Sequence, residues 1–91
     1  MAEEKVMVTL LRADGAELGD YELPANRRVE RLLPVLVEAL CRYSLGFERS
    51  EITLCLDEPG GPVPIKAGET LASCGVTDGS YLRVMPGRTM R

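Results

Sequence analysis

A run of apolar residues spaced three and four apart dominates the middle of the chain, between residues 29 and 43. At about 100° per residue these side chains fall on one face of a helix, with charged residues on the other. We therefore predict one amphipathic helix over residues 29–43, ended by Gly46 as a left-handed cap. The residues of its apolar face are Val29, Leu32, Leu33, Leu36, Leu40 and Tyr43.

Pro34 lies inside this helix and leaves two interpretations open, because an interior proline removes one backbone hydrogen bond and costs about 3 kcal/mol. In the first, residues 27–33 form a loose turn and Pro34 is the first residue of the regular helix. In the second, the helix begins near Val29 and Pro34 lies on its solvent-exposed side, where curvature and water accommodate the lost bond. The phase of the apolar stripe favours the second interpretation.

Two alternating segments before the helix, residues 5–12 and 17–23, predict a β-hairpin. The Asp14-Gly15 pair between them favours a tight turn because both residues tolerate positive φ. Leu18 is out of phase with its own strand, so we expect a bulge at Gly19 to restore the register. The residues predicted to face the core are Val6, Val8, Leu10, Tyr21 and Leu23.

Strands are also predicted after the helix, at residues 51–57 and 81–85, each with alternating apolar residues. Residues 63–65 form only a short edge strand, because Pro64 cannot donate a ladder hydrogen bond. In the excursion over residues 66–78, Leu71 and Val76 are expected in the core, and Thr70 caps a single helical turn. The inward-facing strand residues are Ile52, Leu54, Leu56, Leu82 and Val84.

The length and charge of the chain limit its class. A chain of 91 residues is sufficient for one domain, and we assign residues 1–86 to it and 87–91 to a flexible tail. The formal net charge of -3 gives no global attraction to nucleic acid. No apolar run approaches the length of a membrane span, so we expect a soluble cytoplasmic protein without direct membrane insertion.

The three cysteines are the only candidate nucleophiles, and the sequence contains no histidine to activate them. Their wide spacing and odd number argue against a disulfide framework or a zinc site. We interpret Cys41, Cys55 and Cys74 as reduced structural thiols, of which Cys55 is expected to be the most exposed. The sequence thus predicts no catalytic residue, no metal site and no cofactor.

The order of elements is a hairpin, a long helix, a strand, a short edge strand, a small turn and a last strand. This order resembles the β-grasp fold of ubiquitin, an α+β architecture with a mixed four- to five-stranded sheet packed on one helix. The resemblance implies that the first and last strands pair in parallel at the sheet centre.

Two motifs are similar to those of a narrower group. Residues 71–79 read LASCGVTDG, which is similar to the Leu-x-x-Cys/Ala-Gly-Val/Ile-x-Asn/Asp-Gly signature of the YukD/EsaB family. Residues 23–26 (LPAN), leading into 32–37 (LLPVLV), resemble the helix entry of the related N-terminal domain of EccD. Both groups are associated with type VII secretion in Gram-positive bacteria. The resemblance implies a bacterial, cytosolic, non-enzymatic accessory of that system, with secretion components as protein partners.

A different class of function is a ubiquitin-like modifier or a sulfur carrier. Such proteins end in Gly-Gly, because only an unhindered glycine carboxylate is readily adenylated and transferred. Residues 85–91 read MPGRTMR, in which Gly87 stands alone, so this class is disfavoured. A third interpretation is that the sequence is the excised soluble domain of a larger membrane protein.

Two surfaces are candidates for protein binding. With the first and last strands as neighbours, their outward residues form a partly apolar sheet face, which indicates a protein partner or a homodimer contact. The exposed side of the helix is the second candidate. The residues of the two candidate surfaces are Met7, Leu11, Tyr81, Arg83 and Met85 on the sheet, and Arg31, Pro34 and Val35 on the helix.

Overall fold

A computed structural model describes residues 4–40 and 52–89 of the chain. A single-turn 3-10 helix, Ala72–Cys74, precedes the last strand. The main elements, in chain order, are β1 (Lys5–Leu11), β2 (Glu17–Pro24), α1 (Val29–Ala39), β3 (Ile52–Glu58), β4 (Gly61–Pro64) and β5 (Tyr81–Pro86).

The five strands form one mixed sheet in the order β2-β1-β5-β3-β4. β1 and β5 pair in parallel at its centre, and the other neighbouring pairs are antiparallel. The helix supplies apolar residues to the same core as the inward face of the sheet. The predicted α+β architecture, a mixed sheet packed on one helix, is confirmed.

The helix begins at Val29 and contains Pro34, so the second interpretation of the proline is correct. Pro34 is exposed, whereas Leu32 and Leu36 are buried. The helix ends at Ala39 and Leu40 follows as its cap residue, earlier than the predicted end. Tyr43, Gly46 and Cys41 lie outside the described residues.

The first helical N–H groups are capped by the distant excursion rather than by a local side chain. Val29 N donates to Glu69 O at 2.8 Å, and Glu30 N donates to Ala67 O at 3.1 Å. Arg28, at the N-cap position, makes no side-chain cap hydrogen bond. The backbone amides of Val29 and Glu30 are therefore already satisfied by carbonyl oxygens of the excursion.

The predicted hairpin and its bulge are present. Leu10 pairs with Gly19, whereas Leu11 pairs with Glu17, so Leu18 is the extra residue and its side chain joins the core. Gly19 adopts a φ of 125°, a conformation that residues with a Cβ rarely adopt. The shift restores the inward register that the sequence pattern required.

The excursion before β5 is built as predicted around two buried residues, Leu71 and Val76. Ser73 N donates to Thr70 Oγ1 at 3.0 Å, and Thr70 N donates to Ser73 Oγ at 3.0 Å, so the two side chains close the 3-10 turn reciprocally. Gly75 follows the turn with a φ of 80°. This arrangement places Leu71 in the core against the helix and sheet.

The predictions of exposure for two outward-facing residues, Leu11 and Cys55, were wrong. Leu11 is only 7% exposed and Cys55 only 3%. Both lie beside Arg83 in the strand registers, and Cys55 also lies beside Pro64. Neighbours on both sides therefore exclude water from side chains that alternation alone assigns to the open face.

Residues 87–89, assigned to the flexible tail, are also tied to β3 in the structure. Thr53 Oγ1 donates to Gly87 O at 2.9 Å, and Thr89 Oγ1 donates to Ile52 O at 2.8 Å. Thr53 is on the outward face, but it is buried because residues 87–89 and β5 lie beside it. The assignment of 87–91 as a flexible tail remains a prediction.

Candidate protein-binding surfaces

The open face of the sheet presents two large exposed hydrophobic side chains near its centre. Met7 on β1 is 44% exposed and Tyr81 on β5 is 48% exposed. Thr9 pairs directly with Tyr81, and Met7 lies two residues before Thr9 on the same face. The two apolar side chains are therefore diagonal neighbours on adjacent central strands.

The other predicted residues of the open face are less accessible. Arg83 and Met85 are half-buried, and Leu11 is buried. Arg83 donates from Nε to Asp57 Oδ1 at 3.0 Å and from Nη1 to Ala13 O at 3.1 Å. The guanidinium thus connects β5 to β3 and to the β1–β2 turn, so its hydrogen bonds serve the fold.

The exposed side of α1 is a separate surface. Val35 is 58% exposed, and Arg31 and Pro34 are also exposed. Arg31 lies three and four residues before the other two, which places all three on one helix face. Since α1 packs on the inward face of the sheet, the structure does not bring this group together with Met7 and Tyr81.

Sequence reasoning did not identify a shallow cavity of about 220 Å³ beside β4. This volume lies below the usual range of small-molecule sites, about 300–1,000 Å³. Alternation predicts which of these side chains face outward, but only the strand order places them together. The cavity is lined by Thr53, Cys55, Pro62, Pro64, Met85, Pro86 and Arg88.

The described cysteines have the electrostatics of structural thiols. Burial raises the pKa of the Cys55 thiol, and the positive charge of Arg83 opposes this shift only in part. Burial is also the main cause of the raised pKa of Cys74. Raised pKa values reduce the thiolate fraction that a nucleophile requires. In residues 4–40 and 52–89, no group of three or more Asp, Glu, Cys or His side chains is placed to hold a metal ion.

The end of the LASCGVTDG segment joins the excursion to the first strand. The carboxylate of Asp78 accepts a hydrogen bond from Met7 N at 2.8 Å, and Gly79 N donates to Met7 O at 2.8 Å. Asparagine offers the same side-chain oxygen as aspartate, which gives a physical reason for the Asn/Asp alternative in the signature. We therefore interpret Asp78 as a structural residue that orders β1 beside β5.

These features define a ubiquitin-like β-grasp domain with two exposed, partly apolar surfaces. The chain belongs to the family described as "WXG100 protein secretion system (Wss), protein YukD", which matches residues 6–84. A comparison with curated proteins found no match. Family membership connects the chain to a secretion system, as the resemblance of its motifs implied.

Solved structures support the same assignment. The ubiquitin-like domain of the type VII secretion system protein ECCD1 from Mycobacterium tuberculosis is 30% identical, with a TM-score of 0.64 over 93% of this chain and 99% of that one. The C-terminal ubiquitin-like domain of mouse tubulin-specific chaperone e is 18% identical (TM-score 0.68; 92% of this chain, 88% of that one). A de novo design based on ubiquitin is 16% identical (TM-score 0.64; 90% and 88%).

The last two similarities show the fold alone.

Within the described residues, no helix is long and apolar enough to cross a membrane.

Proposed function

We propose that this protein is a non-enzymatic, ubiquitin-like binding module that acts as a cytosolic accessory component of a type VII secretion system. Membership of the YukD family and the similarity to the ECCD1 domain support the association with secretion. The raised thiol pKa values of Cys55 and Cys74 argue against a nucleophilic role for these residues. Binding of a protein component of the system is the function that the domain's surfaces fit best.

The observation that carries the proposal is the exposure of Met7 and Tyr81 on adjacent central strands. A sheet with one covered face normally carries polar residues on the other face. Tyrosine supplies a large contact area with a polar end, and methionine adapts to irregular partners, so both are common at protein interfaces. We assign the primary binding surface to the open face around these two residues.

Charge substitutions on the two surfaces test this assignment. We expect Tyr81→Glu to weaken binding of a secretion component from the native host by about 30-fold or more, as for the central residues of interfaces. Val35→Glu, which changes a somewhat more exposed apolar residue on the helix, serves as the matched control and should retain binding. Circular dichroism and thermal unfolding establish that both variants are folded.

Binding is measured by isothermal titration calorimetry with a secretion component identified by mass spectrometry after capture from the host. The assignment is wrong if Val35→Glu abolishes binding while Tyr81→Glu does not, because recognition would then use the helix surface around Pro34. Recovery of no secretion component by the folded wild-type protein would contradict the proposed function itself. A homodimer through the open face would appear as a change in mass by light scattering that Tyr81→Glu removes.

A further inference from the structure

The two edges of the sheet differ in what their backbones offer to an additional strand. β2 and β4 are the outermost strands, so within the described part of the chain no further strand lies beside either. An edge strand with unsatisfied N–H and C=O groups can accept a strand from another polypeptide, whereas proline at the edge prevents this. The hydrogen bonds of the strand next to each edge show which N–H and C=O groups of the edge strand point towards solvent.

The outer edge of β2 retains both donors and acceptors at residues 20 and 22, and it ends at Pro24, which faces the same edge and has no N–H group. On β1, Thr9 N donates to Ser80 O at 3.0 Å, and Met7 O accepts from Gly79 N at 2.8 Å, so these two residues direct their backbones towards β5. Their partners in β2 are Asp20 and Glu22. Because backbone groups alternate in direction along a strand, Asp20 and Glu22 point their N–H and C=O groups away from β1.

The outer edge of β4 has no donor at the equivalent positions. Ile65 N donates to Leu54 O at 2.9 Å, so Ile65 directs its backbone groups towards β3. Val63 lies two residues earlier and pairs with Leu56, so its backbone groups point the same way. The residues that face the open edge are therefore Pro62 and Pro64, neither of which has an N–H group. β4 is thus closed to strand addition, whereas β2 is open.

The side chains along the open edge carry negative charge. Asp20 and Glu22 are exposed on the outward face. Asp20 Oδ1 accepts a hydrogen bond from Thr9 Oγ1 at 2.6 Å, which fixes the carboxylate on that face. Glu22 lies 3.8 Å from Lys5 Nζ in a solvent-exposed pair, which contributes little and is readily exchanged. The half-buried Tyr21 lies between them on the opposite face.

From these observations we propose that the edge of β2 is a second binding site, which takes an extended basic segment of a partner protein as an antiparallel sixth strand. Lysine or arginine at every second position lies opposite Asp20 and Glu22, and apolar residues between them lie beside Tyr21. Main-chain hydrogen bonds supply the affinity and the alternating charges supply the selectivity. The acidic pair also disfavours antiparallel pairing of β2 with a second copy of itself.

A short synthetic peptide tests the site on the intact protein. The probe is the N-acetylated and C-amidated hexapeptide Lys-Val-Lys-Val-Lys-Val, titrated into isotopically labelled protein and followed by NMR. Binding should slow hydrogen exchange of the Asp20 and Glu22 amide protons and leave the amides of β4 unaffected. Changes centred on Met7 and Tyr81 without this protection would overturn the proposal, since the peptide would then occupy the open sheet face.

Two modified peptides separate strand addition from general charge attraction. In the antiparallel arrangement the lysine amides face β2 and the valine amides face solvent. N-methylation of the lysines should therefore abolish binding, whereas N-methylation of the valines should preserve it. Equal binding of both peptides would refute strand addition, because their charge is the same.

Protein variants test whether the acidic residues of β2 select a basic segment. The double variant Asp20→Asn, Glu22→Gln keeps the strand and its backbone groups but removes both charges. We expect its affinity for the lysine peptide to fall about fivefold, from the typical contribution of two opposite-charge cross-strand pairs. The matched control variant Glu30→Gln, Glu38→Gln removes two charges from the exposed side of α1 and should leave peptide binding intact. Unchanged affinity of the β2 double variant would contradict selection of basic segments.

Discussion

Replacing Arg83 with methionine tests whether this side chain stabilises the fold or is available to a partner. Methionine keeps an extended apolar side chain but removes the guanidinium that donates to Asp57 Oδ1 at 3.0 Å and to Ala13 O at 3.1 Å. The Arg83 and Asp57 side chains are 23% and 27% exposed, so the pair is neither a surface pair nor a fully buried one. Exposed ion pairs contribute up to about 1 kcal/mol, whereas breaking a buried pair costs about 3–5 kcal/mol.

An intermediate value gives a destabilisation of about 2 kcal/mol for Arg83→Met, including the lost hydrogen bond to Ala13. For a domain of this size that corresponds to a fall in Tm of about 8–16 °C. Urea unfolding at neutral pH measures the free-energy change, and a double-mutant cycle with Asp57→Asn isolates the pairwise contribution.

The matched control for this experiment is Arg31→Met, which removes the same charge from an exposed helix position. Its free energy of unfolding should stay within about 0.5 kcal/mol of the wild type. If Arg83→Met also stays within that range, the guanidinium does not stabilise the fold. The proposed assignment of Arg83 to partner binding would then become the better explanation of its place on the sheet.

Three further changes follow from individual contacts. Asp78→Ala should destabilise the protein by about 1 kcal/mol by leaving Met7 N without its acceptor, whereas Asp78→Asn should retain most of the stability in thermal unfolding; equal losses would contradict the role of this hydrogen bond. The Arg12 side chain and a turn N–H lower the pKa of Asp14 to about 2, so the stability that this carboxylate contributes is present above about pH 4 and lost as the pH falls towards 2. The difference in Tm between wild type and Asp14→Asn should therefore shrink over that range, and a constant difference would refute the linkage. In a variant whose other two cysteines are serine, Cys55 should react with a thiol reagent at least about tenfold more slowly in the folded protein than in urea, because it is buried; equal rates would show that the thiol is accessible.

Local sequence patterns were sufficient for most of the secondary structure. The out-of-phase position of Leu18 next to Gly19 indicated the bulge, because a one-residue shift is the only way to return Tyr21 and Leu23 to the core. The position of Pro34 on the polar side of the apolar stripe indicated that the helix continues through it. Both features depend only on residues that are close to each other in the sequence.

Burial on the outer face was not predictable in the same way. Cys55 alternates correctly as an outward residue, but its exposure depends on Pro64 and Arg83, which reach it only after the sheet has formed. For the same reason Leu11 was wrongly predicted to be exposed. The assignment of the eight surface residues to one or other binding surface stays a prediction.

The sequence by itself determined the type and order of the elements and the class of domain, because hydrophobic periodicity, turn residues and the LASCGVTDG motif are local properties. Only the tertiary structure decided which outward residues remain accessible and which backbone groups stay unpaired. Arg83 can connect neighbouring strands because β5 lies between β1 and β3 in the sheet. The acidic residues of β2 lie on an open edge because β2 is hydrogen-bonded to β1 on one side only. Both outcomes depend on neighbours far apart in the chain, which the pattern of a single strand does not contain.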